Sequence, residues 1–289
     1  MIIEIDNIKL PLINLEDIII GYDEKEPLLH IDKFTVNPGE VIVLTGESGI
    51  GKTTLLKTIA GLIEPISGKV IAPEKRGELG YIPQNLGLVR HATVMHNVML
   101  GANAGHNLLW PKFFISSLTF CLLFSFSLIG YGFLTWNSIL LYLSPIIATT
   151  LFLILTFSFS LFSPSIAKDS ALAAIDSLGI SNYKFKIVRQ LSGGERRRVA
   201  TARTLSQKPR LILADEFLSE LDNKTKEKVQ SEVLNYITNN KSSIIIVEHD
   251  LIRAKEISDR LFIISDGKLK EHLTKENPFS SITNQEEEE

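Results

Sequence analysis

The sequence has almost no cysteine, which removes one class of protein from consideration. Among its 289 residues there is a single cysteine, Cys121, so no disulfide can form within the chain. It lies in an apolar run, where a lone cysteine is usually a small buried side chain in a protein from a reducing compartment. A fold held together by disulfides is therefore excluded, and we assign Cys121 no chemical role.

The sequence also lacks an excess of basic residues. Its 30 Lys and Arg are outnumbered by 33 Asp and Glu, which gives a formal net charge of -3. Nucleic-acid binding needs a strongly basic surface, because phosphate contacts supply much of the affinity. We therefore expect no nucleic-acid partner. The N-terminus has no basic segment followed by an apolar stretch, so we expect no signal peptide and a cytoplasmic location for most of the protein.

One region has no charged residue at all. Residues 113–167 contain no Asp, Glu, Lys, Arg or His. A helix over 113–134 would measure roughly 33 Å, about the thickness of a bilayer core. Its Leu, Ile, Phe and Val residues contribute roughly -4 to -8 kcal/mol to insertion before Ser, Thr and Gly are counted. We predict a two-helix transmembrane hairpin over 113–162, with a hairpin buried in the protein or docked on a permease as the alternative.

Elsewhere, strand-like apolar runs alternate with helix-like stretches. These runs are residues 18–20, 41–44, 211–214, 244–247 and 261–264. Continuous apolar strands indicate a mostly parallel sheet with helices on both faces, because both faces of such strands are buried. The expected fold class is therefore α/β, with ligands at the carboxyl ends of the strands.

The first chemical motif is a glycine-rich loop between the strand 41–44 and a helix. It comprises Gly46, Glu47, Ser48, Gly49, Ile50, Gly51, Lys52 and Thr53, with Thr54 following. Glycines let the backbone N–H groups wrap a phosphate chain, Lys52 reaches the outer phosphates, and the Thr53 hydroxyl can bind Mg²⁺. The motif predicts a nucleotide site. The alternative, a chance glycine-rich turn, is disfavoured by the strand before it and the helix after it.

A pair of adjacent carboxylates ends the strand 211–214. In P-loop enzymes the first of such acids, here Asp215, holds Mg²⁺. Glu216, one residue further on, is placed to act as general base toward the water that attacks the γ-phosphate. Acidic pairs at strand ends are usually only solvated turns, but the glycine-rich loop favours the catalytic interpretation.

A third motif indicates the family. The segment Leu191-Ser192-Gly193-Gly194-Glu195, followed by Arg196 to Arg203, resembles the signature sequence of ATP-binding cassette (ABC) proteins. It has the properties of a helix N-terminus that presents its positive dipole end to an anion. The arginine triplet Arg196 to Arg198 could instead be a nucleic-acid patch, but in an acidic protein it is more simply a surface helix.

The resemblance implies roles for further residues. Tyr22 is the aromatic residue on which adenine would stack, Gln84 would link the Mg²⁺ site to a transmembrane partner, and His249 would contact the γ-phosphate. Asp222 belongs to a loop that would touch the opposite subunit. The resemblance implies catalytic roles for Glu216, His249, Gln84 and Lys52, and Mg²⁺ binding by Thr53, Gln84 and Asp215. The nucleotide would be bound by Tyr22, residues 46–54, Ser192, Gly193, Gly194, Glu195 and Asp222.

Some positions depart from the family pattern. Phe217 stands where most relatives have proline, Glu220 replaces a small residue, and Glu248 precedes His249 where Thr or Ser is commoner. None of these changes removes a catalytic group, so the reaction is unaffected. They bear on the rate and on the details of a dimer.

The resemblance implies a P-loop cassette of mostly parallel sheet with an antiparallel β edge, whose ATPase activity powers a transporter. Two cassettes, as a homodimer or heterodimer, would enclose two ATP molecules and couple to an integral membrane permease and a solute-binding protein. The location would be the inner membrane, with the cassette on its cytoplasmic side. Small-solute import of the phosphonate type is the transport reaction implied. The alternatives are a lipoprotein- or lipid-handling transporter, an ABC ATPase that remodels a macromolecular complex, and a regulator without turnover.

The same resemblance divides the chain. A cassette core with the P-loop would cover 1–84, and a helical subdomain interrupted by the apolar hairpin would cover 85–190. The signature helix and the remaining core would cover 191–275. Residues 276–289 would form an acidic, solvated tail.

Overall fold

A computed structural model describes residues 11–23, 25–105, 110–134 and 138–272. The predicted acidic tail, 276–289, lies outside the described residues. The strands are β1 (Ile13–Ile20), β2 (Leu29–Val36), β3 (Val41–Gly46), β4 (Ser67–Ile71), β5 (Leu79–Ile82), β6 (Leu211–Asp215), β7 (Ser243–Val247), β8 (Arg260–Ser265) and β9 (Lys268–His272). The α-helices are α1 (Lys52–Ile59), α2 (Val94–Gly105), α3 (Trp110–Leu134), α4 (Ser138–Ser177), α5 (Gly193–Ser206), α6 (Asn223–Asn240) and α7 (Leu251–Ile257). Short 3-10 helices cover Ser181–Tyr183 and Val188–Gln190.

The strands of the described residues form one mixed sheet in the order β4-β1-β2-β9-β8-β3-β7-β6-β5. Strands β8, β3, β7, β6 and β5 run parallel to their neighbours in that order. Strands β1 and β2 pair antiparallel, as do β1 and β4, and β8 and β9. The predicted α/β class, with its antiparallel edge, is confirmed.

Burial explains why the two parts of the sheet have different sequences. Every residue of β6 and β7 is buried, and these strands are apolar except for Ser243, which begins β7, and Asp215, which ends β6. In β1 and β2 exposed polar residues interrupt the buried ones, because the edge is less completely covered. The core extends across both parts and includes Phe34, Leu44, Leu55, Leu213 and Ile245.

The order of the central strands determines where the chemical motifs meet. Strands β3, β7 and β6 are neighbours and parallel, with Leu44 paired to Val247 and Val247 to Asp215. Their carboxyl ends therefore lie side by side. The glycine-rich loop, the acidic pair and the segment containing His249 all begin at this edge of the sheet.

The chain divides into two compact units, one of residues 1–105 with 171–289 and the other of residues 106–170. The apolar region forms long helices, and Cys121 is buried within it as expected. Within the described ranges, no helix is both long enough and apolar enough to cross a membrane.

The transmembrane hairpin predicted over 113–162 is therefore not supported. The estimate behind the prediction counted only apolar side chains, and the Ser, Thr and Gly residues that it left out make both helices less apolar than the estimate assumed. Helix α4 also does not end near residue 162. It continues through Lys168 and Asp169 to Ser177.

Candidate functional site

The glycine-rich loop joins the end of β3 to α1 through backbone that favours glycine. Gly51 caps α1 with φ of 110°, and Gly46 has φ of 149°. A Cβ at Gly46 would collide with the carbonyl oxygen of Ile264. The first-turn N–H groups of α1 have no acceptor within the helix, so they are available to an anion. This is the arrangement that the sequence predicted.

Lys52, the first residue of α1, is folded into this loop. Its side chain is buried, and Nζ donates hydrogen bonds to the carbonyl oxygens of Gly46 at 2.8 Å and Glu47 at 2.7 Å. Burial lowers the pKa of the Lys52 ammonium, while the nearby Glu216 and Asp215 act in the opposite direction. The positive charge is thus held inside the phosphate-binding loop.

Asp215 and Thr53 form the part of the site that fits a metal ion. Thr53 Oγ1 donates to Asp215 Oδ2 at 2.8 Å, and the other carboxylate oxygen is buried without a hydrogen-bond partner in the described part of the chain. Burial raises the pKa of Asp215, and Glu216 adds to this, while the Thr53 hydroxyl opposes it. A buried carboxylate with an unpaired oxygen beside a hydroxyl suits a hard cation such as Mg²⁺. The residues present therefore fit the predicted metal.

Glu216 lies between two side chains from other segments. Its Oε1 is 2.7 Å from His249 Nε2, and its Oε2 accepts a hydrogen bond from Gln84 Nε2 at 3.2 Å. Because a carboxylate only accepts hydrogen bonds, His249 donates through Nε2. Glu216 has a left-handed backbone with φ of 51°, a strained conformation that is frequent at functional sites. Of the residues predicted to be catalytic, His249 and Gln84 thus both contact the Glu216 carboxylate.

Gln84 was predicted to be a metal ligand as well. Its side chain donates a hydrogen bond to Glu216, while the Thr53 hydroxyl donates one to Asp215. Because Asp215 and Glu216 are adjacent in the chain, the three predicted ligands belong to one cluster. Within the described residues, no group of three or more His, Cys, Asp or Glu side chains could hold a metal ion.

Tyr22, the predicted adenine platform, has an exposed ring. The residue is 70% exposed, and its hydroxyl oxygen is 3.5 Å from Thr54 Oγ1 in the first turn of α1. An exposed aromatic ring beside a phosphate-binding loop can stack on a base. The structure thus places Tyr22 next to the loop without burying it.

The signature segment forms the N-terminus of α5. Ser192 accepts a hydrogen bond from the backbone N–H of Glu195 at 3.2 Å, and its own backbone N–H donates to Glu195 Oε2 at 2.7 Å. The bond from the Ser192 backbone is the main reason why the pKa of Glu195 is lowered. In the described part of the chain, no hydrogen bond joins these residues to the glycine-rich loop.

Asp222 has a structural role that the sequence did not predict. It caps α6 by accepting a hydrogen bond from the backbone N–H of Thr225 at 2.9 Å, which lowers its pKa. The Asx residue directly before a helix was the signal available in the sequence. The loop that contains Asp222 begins after Glu216 and ends at the α6 cap, so β6 and α6 position its two ends.

Two arginines of α5 were not predicted as part of the site. Arg197 is only 5% exposed, so the prediction that the arginine triplet is a surface helix is wrong at this position. Its Nη1 donates to the backbone oxygen of Glu216 at 3.2 Å. Arg203 donates to the carbonyl oxygens of Leu86 at 2.9 Å and Gly87 at 2.7 Å, just after Gln84. Helix α5 therefore contacts both the backbone of Glu216, the predicted general base, and the segment that follows Gln84.

The sheet, the glycine-rich loop and the acidic strand end together define a P-loop nucleotide-binding domain. The family described as ABC transporter matches residues 29–219. The chain therefore belongs to the ABC transporter family, and it contains the ATPase domain of that family.

Similar proteins include several import ATP-binding proteins. The spermidine/putrescine import ATP-binding protein PotA of Spiroplasma citri is 28% identical over 90% of this chain and 61% of its own length. The 2-aminoethylphosphonate import ATP-binding protein PhnT of Salmonella typhimurium is 28% identical over 82% of this chain and 52% of its length. The chain thus spans roughly half to three fifths of these relatives. The phosphonates import ATP-binding protein PhnC of Treponema denticola is 26% identical over 89% of this chain and 88% of its length.

Solved structures share the fold. A dimeric ATP-binding cassette in a post-hydrolysis state, bound to ADP and Pi, superposes with a TM-score of 0.65 at 21% identity, over 92% of this chain and 100% of that one. An inward-facing ABC transporter of the metal-chelate type gives a TM-score of 0.64 at 19% identity, over 92% of this chain and 84% of that one. At such identities the likeness concerns the fold alone.

Proposed function

We propose that this chain is the ATP-hydrolysing subunit of an ABC importer, and that it works as a dimer of cassettes coupled to a membrane permease. The observation that carries the proposal is the position of Glu216, whose carboxylate is held by His249 and Gln84 directly beside Asp215 and Lys52. A carboxylate fixed in this way beside a phosphate-binding loop is suited to take a proton from an attacking water.

Each residue around the nucleotide would have a separate task. Tyr22 would stack on adenine, while the backbone of residues 46–54 and the Lys52 ammonium would bind the phosphates. Glu216 would orient the attacking water and accept its proton, and His249 would donate a hydrogen bond to the γ-phosphate. Thr53, Asp215 and Gln84 would hold Mg²⁺, which when bound neutralises charge on the phosphates.

The second half of the site would come from another copy of the cassette. The α5 N-terminus, with Ser192, Gly193, Gly194 and Glu195, would cover the nucleotide held by the partner's glycine-rich loop, and Asp222 would lie at the same interface. Among the residues that the structure describes, no hydrogen bond joins α5 to the glycine-rich loop of its own chain, which supports this arrangement. So does the fold shared with a solved cassette that is a dimer. The proposal covers a homodimer and a heterodimer alike.

The transport reaction is proposed from the relatives. PotA is named for spermidine and putrescine import, and PhnT and PhnC for phosphonate import. We propose import of a small solute, with an integral membrane permease and a solute-binding protein as partners and the cassette on the cytoplasmic side of the inner membrane. The subdomain boundaries at residues 84, 190 and 275 belong to the same proposal.

The test is phosphate release from ATP by the purified chain with Mg²⁺. Replacing a general base costs about 10²- to 10⁴-fold in rate, so Glu216→Gln should lower turnover at least a hundredfold while a fluorescent ATP analogue still binds. Glu227→Gln, which removes an equal charge from the exposed side of α6, is the matched control and should hydrolyse ATP like the wild type. Full turnover by Glu216→Gln would contradict the proposal.

A further inference from the structure

Glu220 is one of the departures from the family pattern, and the proposed mechanism gives it no task. It lies in the loop between β6 and α6 and has a left-handed backbone with φ of 61°. Its Oε1 accepts a hydrogen bond from Nη2 of the buried Arg197 at 3.0 Å, although the Glu220 side chain itself is 60% exposed. The loop is therefore tied to α5 by an ion pair that is buried at one end only.

The other carboxylate oxygen of Glu220 lies at the start of α5. The space that a Cβ would need at Gly193 is occupied by Glu220 Oε2, so the carboxylate is in close contact with the first residue of the helix. A helix N-terminus attracts negative charge through its dipole and its unpaired N–H groups. Glu220 thus has two favourable partners, the Arg197 guanidinium and the α5 N-terminus.

This position is also the one that a nucleotide would need. In the proposed dimer, the α5 N-terminus of one chain receives the phosphates of the ATP held by its partner. A carboxylate already in contact with Gly193 would repel or obstruct that anion. If the carboxylate were absent, the Arg197 guanidinium would keep its hydrogen bond to the Glu216 backbone and would attract the phosphate instead.

We propose that Glu220 is a positioning residue that occupies the signature end of α5 within its own chain, and so raises the ATP concentration at which two cassettes close. The inference rests on the proposed function, because it assigns a regulator to the same site. ATP binding to the partner's glycine-rich loop must displace the Glu220 carboxylate from Gly193. The ion pair with Arg197 opposes this displacement and holds the loop until enough ATP is bound.

The decisive variant is Glu220→Gln, because an amide oxygen can still accept the bond from Arg197 while the negative charge is lost. Glu220→Gln removes the repulsion between the carboxylate and the nucleotide phosphates. A charge interaction at a solvent-accessible site changes a binding equilibrium by about fivefold at most, so we expect KM for ATP to fall by roughly two- to fivefold with kcat nearly unchanged. The difference from wild type should shrink at high salt, because screening weakens the repulsion. Glu220→Asp keeps the charge and should restore wild-type KM.

A second measurement does not depend on turnover. The ATP concentration for half-maximal dimer formation is measured by light scattering in the Glu216→Gln background, with and without Glu220→Gln, and with Glu227→Gln as the charge-matched control. A midpoint shifted to lower ATP by Glu220→Gln but not by Glu227→Gln supports the inference. This holds even if the wild-type protein does not hydrolyse ATP and the proposed function is wrong. An unchanged midpoint and KM in a protein that hydrolyses ATP would overturn the inference and leave the proposed function in place. If Glu220→Gln lowers Tm but changes neither the dimerisation midpoint nor KM, Glu220 has only a structural role as the partner of Arg197, and the inference is overturned.

Discussion

The packing of α2 against α5 gives the sharpest test of the structure, because it depends on glycine. Gly101 and Gly105, one helical turn apart in α2, lie directly against the α5 backbone and the residue after it. A Cβ at Gly101 would overlap the carbonyl oxygen of Arg203, and one at Gly105 would overlap that of Gln207. Both obstacles are backbone atoms, so no side chain can rotate away. Gly101→Ala must therefore separate the helices.

The expected magnitude follows from two opposed effects. Alanine is favoured over glycine in a helix by about 1 kcal/mol, which stabilises the variant. Overpacking typically costs about 1–3 kcal/mol, and a collision with backbone belongs at the upper end. The net loss for Gly101→Ala is then about 2 kcal/mol, which would lower Tm by roughly 4–8 °C if each kcal/mol shifts a domain of this size by about 2–4 °C.

The assay is a thermal melt combined with hydrogen exchange of the α5 amides. Gly130→Ala in α3 is the matched control, because the same substitution there meets no atom within 4 Å. It should leave α5 exchange unchanged and gain up to about 1 kcal/mol of helix stability locally. Wild-type or higher stability in Gly101→Ala, with unchanged α5 exchange, would refute the close approach of the two helices.

Three further predictions concern the site. Ser192→Ala removes the α5 cap and should lower the free energy of unfolding by about 1 kcal/mol. The loss is measured as a lower urea midpoint at constant m-value, and an unchanged midpoint would show that the cap does not stabilise α5. Asp215→Asn should stabilise the nucleotide-free protein at pH 8. Burial raises the pKa of Asp215, so the folded protein loses stability as the pH rises through that pKa and the carboxyl group ionises, and asparagine avoids this loss. This gain in stability should vanish at a pH below the ordinary aspartate pKa. Urea titrations at pH 8 and at that low pH measure it, and a variant less stable than the wild type at pH 8 would contradict the prediction. Tyr22→Ala should weaken ATP binding by about 1–3 kcal/mol in a fluorescence titration while Tyr22→Phe preserves it; equal losses would assign the effect to the hydroxyl.

The central sheet was predictable, and the residues of the candidate nucleotide site could be identified, because their signals are local. Strands β6 and β7 are buried on both faces, so each contains a continuous apolar run, which in β6 ends at Asp215 and in β7 follows Ser243. The glycine-rich loop needs its residues at fixed spacing along the chain. Once these strands are parallel neighbours, the convergence of Glu216 and His249 follows from the topology alone.

The interactions of α5 were not predictable, because they join residues far apart in the chain. The sequence shows that Arg197 is charged but not which side of the helix faces the β6 strand end, so its burial was missed. The contact between Glu220 and Gly193 likewise depends on how the loop turns back. The apolar region illustrates the converse error. Its helices follow from composition, but an estimate based on apolar side chains alone overstated their suitability for a membrane.

Helix α5 also restricts which substitutions the protein can accept. It has 14 residues and contacts the Glu216 backbone through Arg197 and the Leu86–Gly87 carbonyls through Arg203. One inserted residue between the two arginines would rotate the second by about 100° and advance it by about 1.5 Å, so both contacts could not be kept. The spacing of Arg197 and Arg203 along α5 is therefore constrained by both contacts, and we expect insertions or deletions between them to be far less tolerated than point changes on the exposed face of the helix.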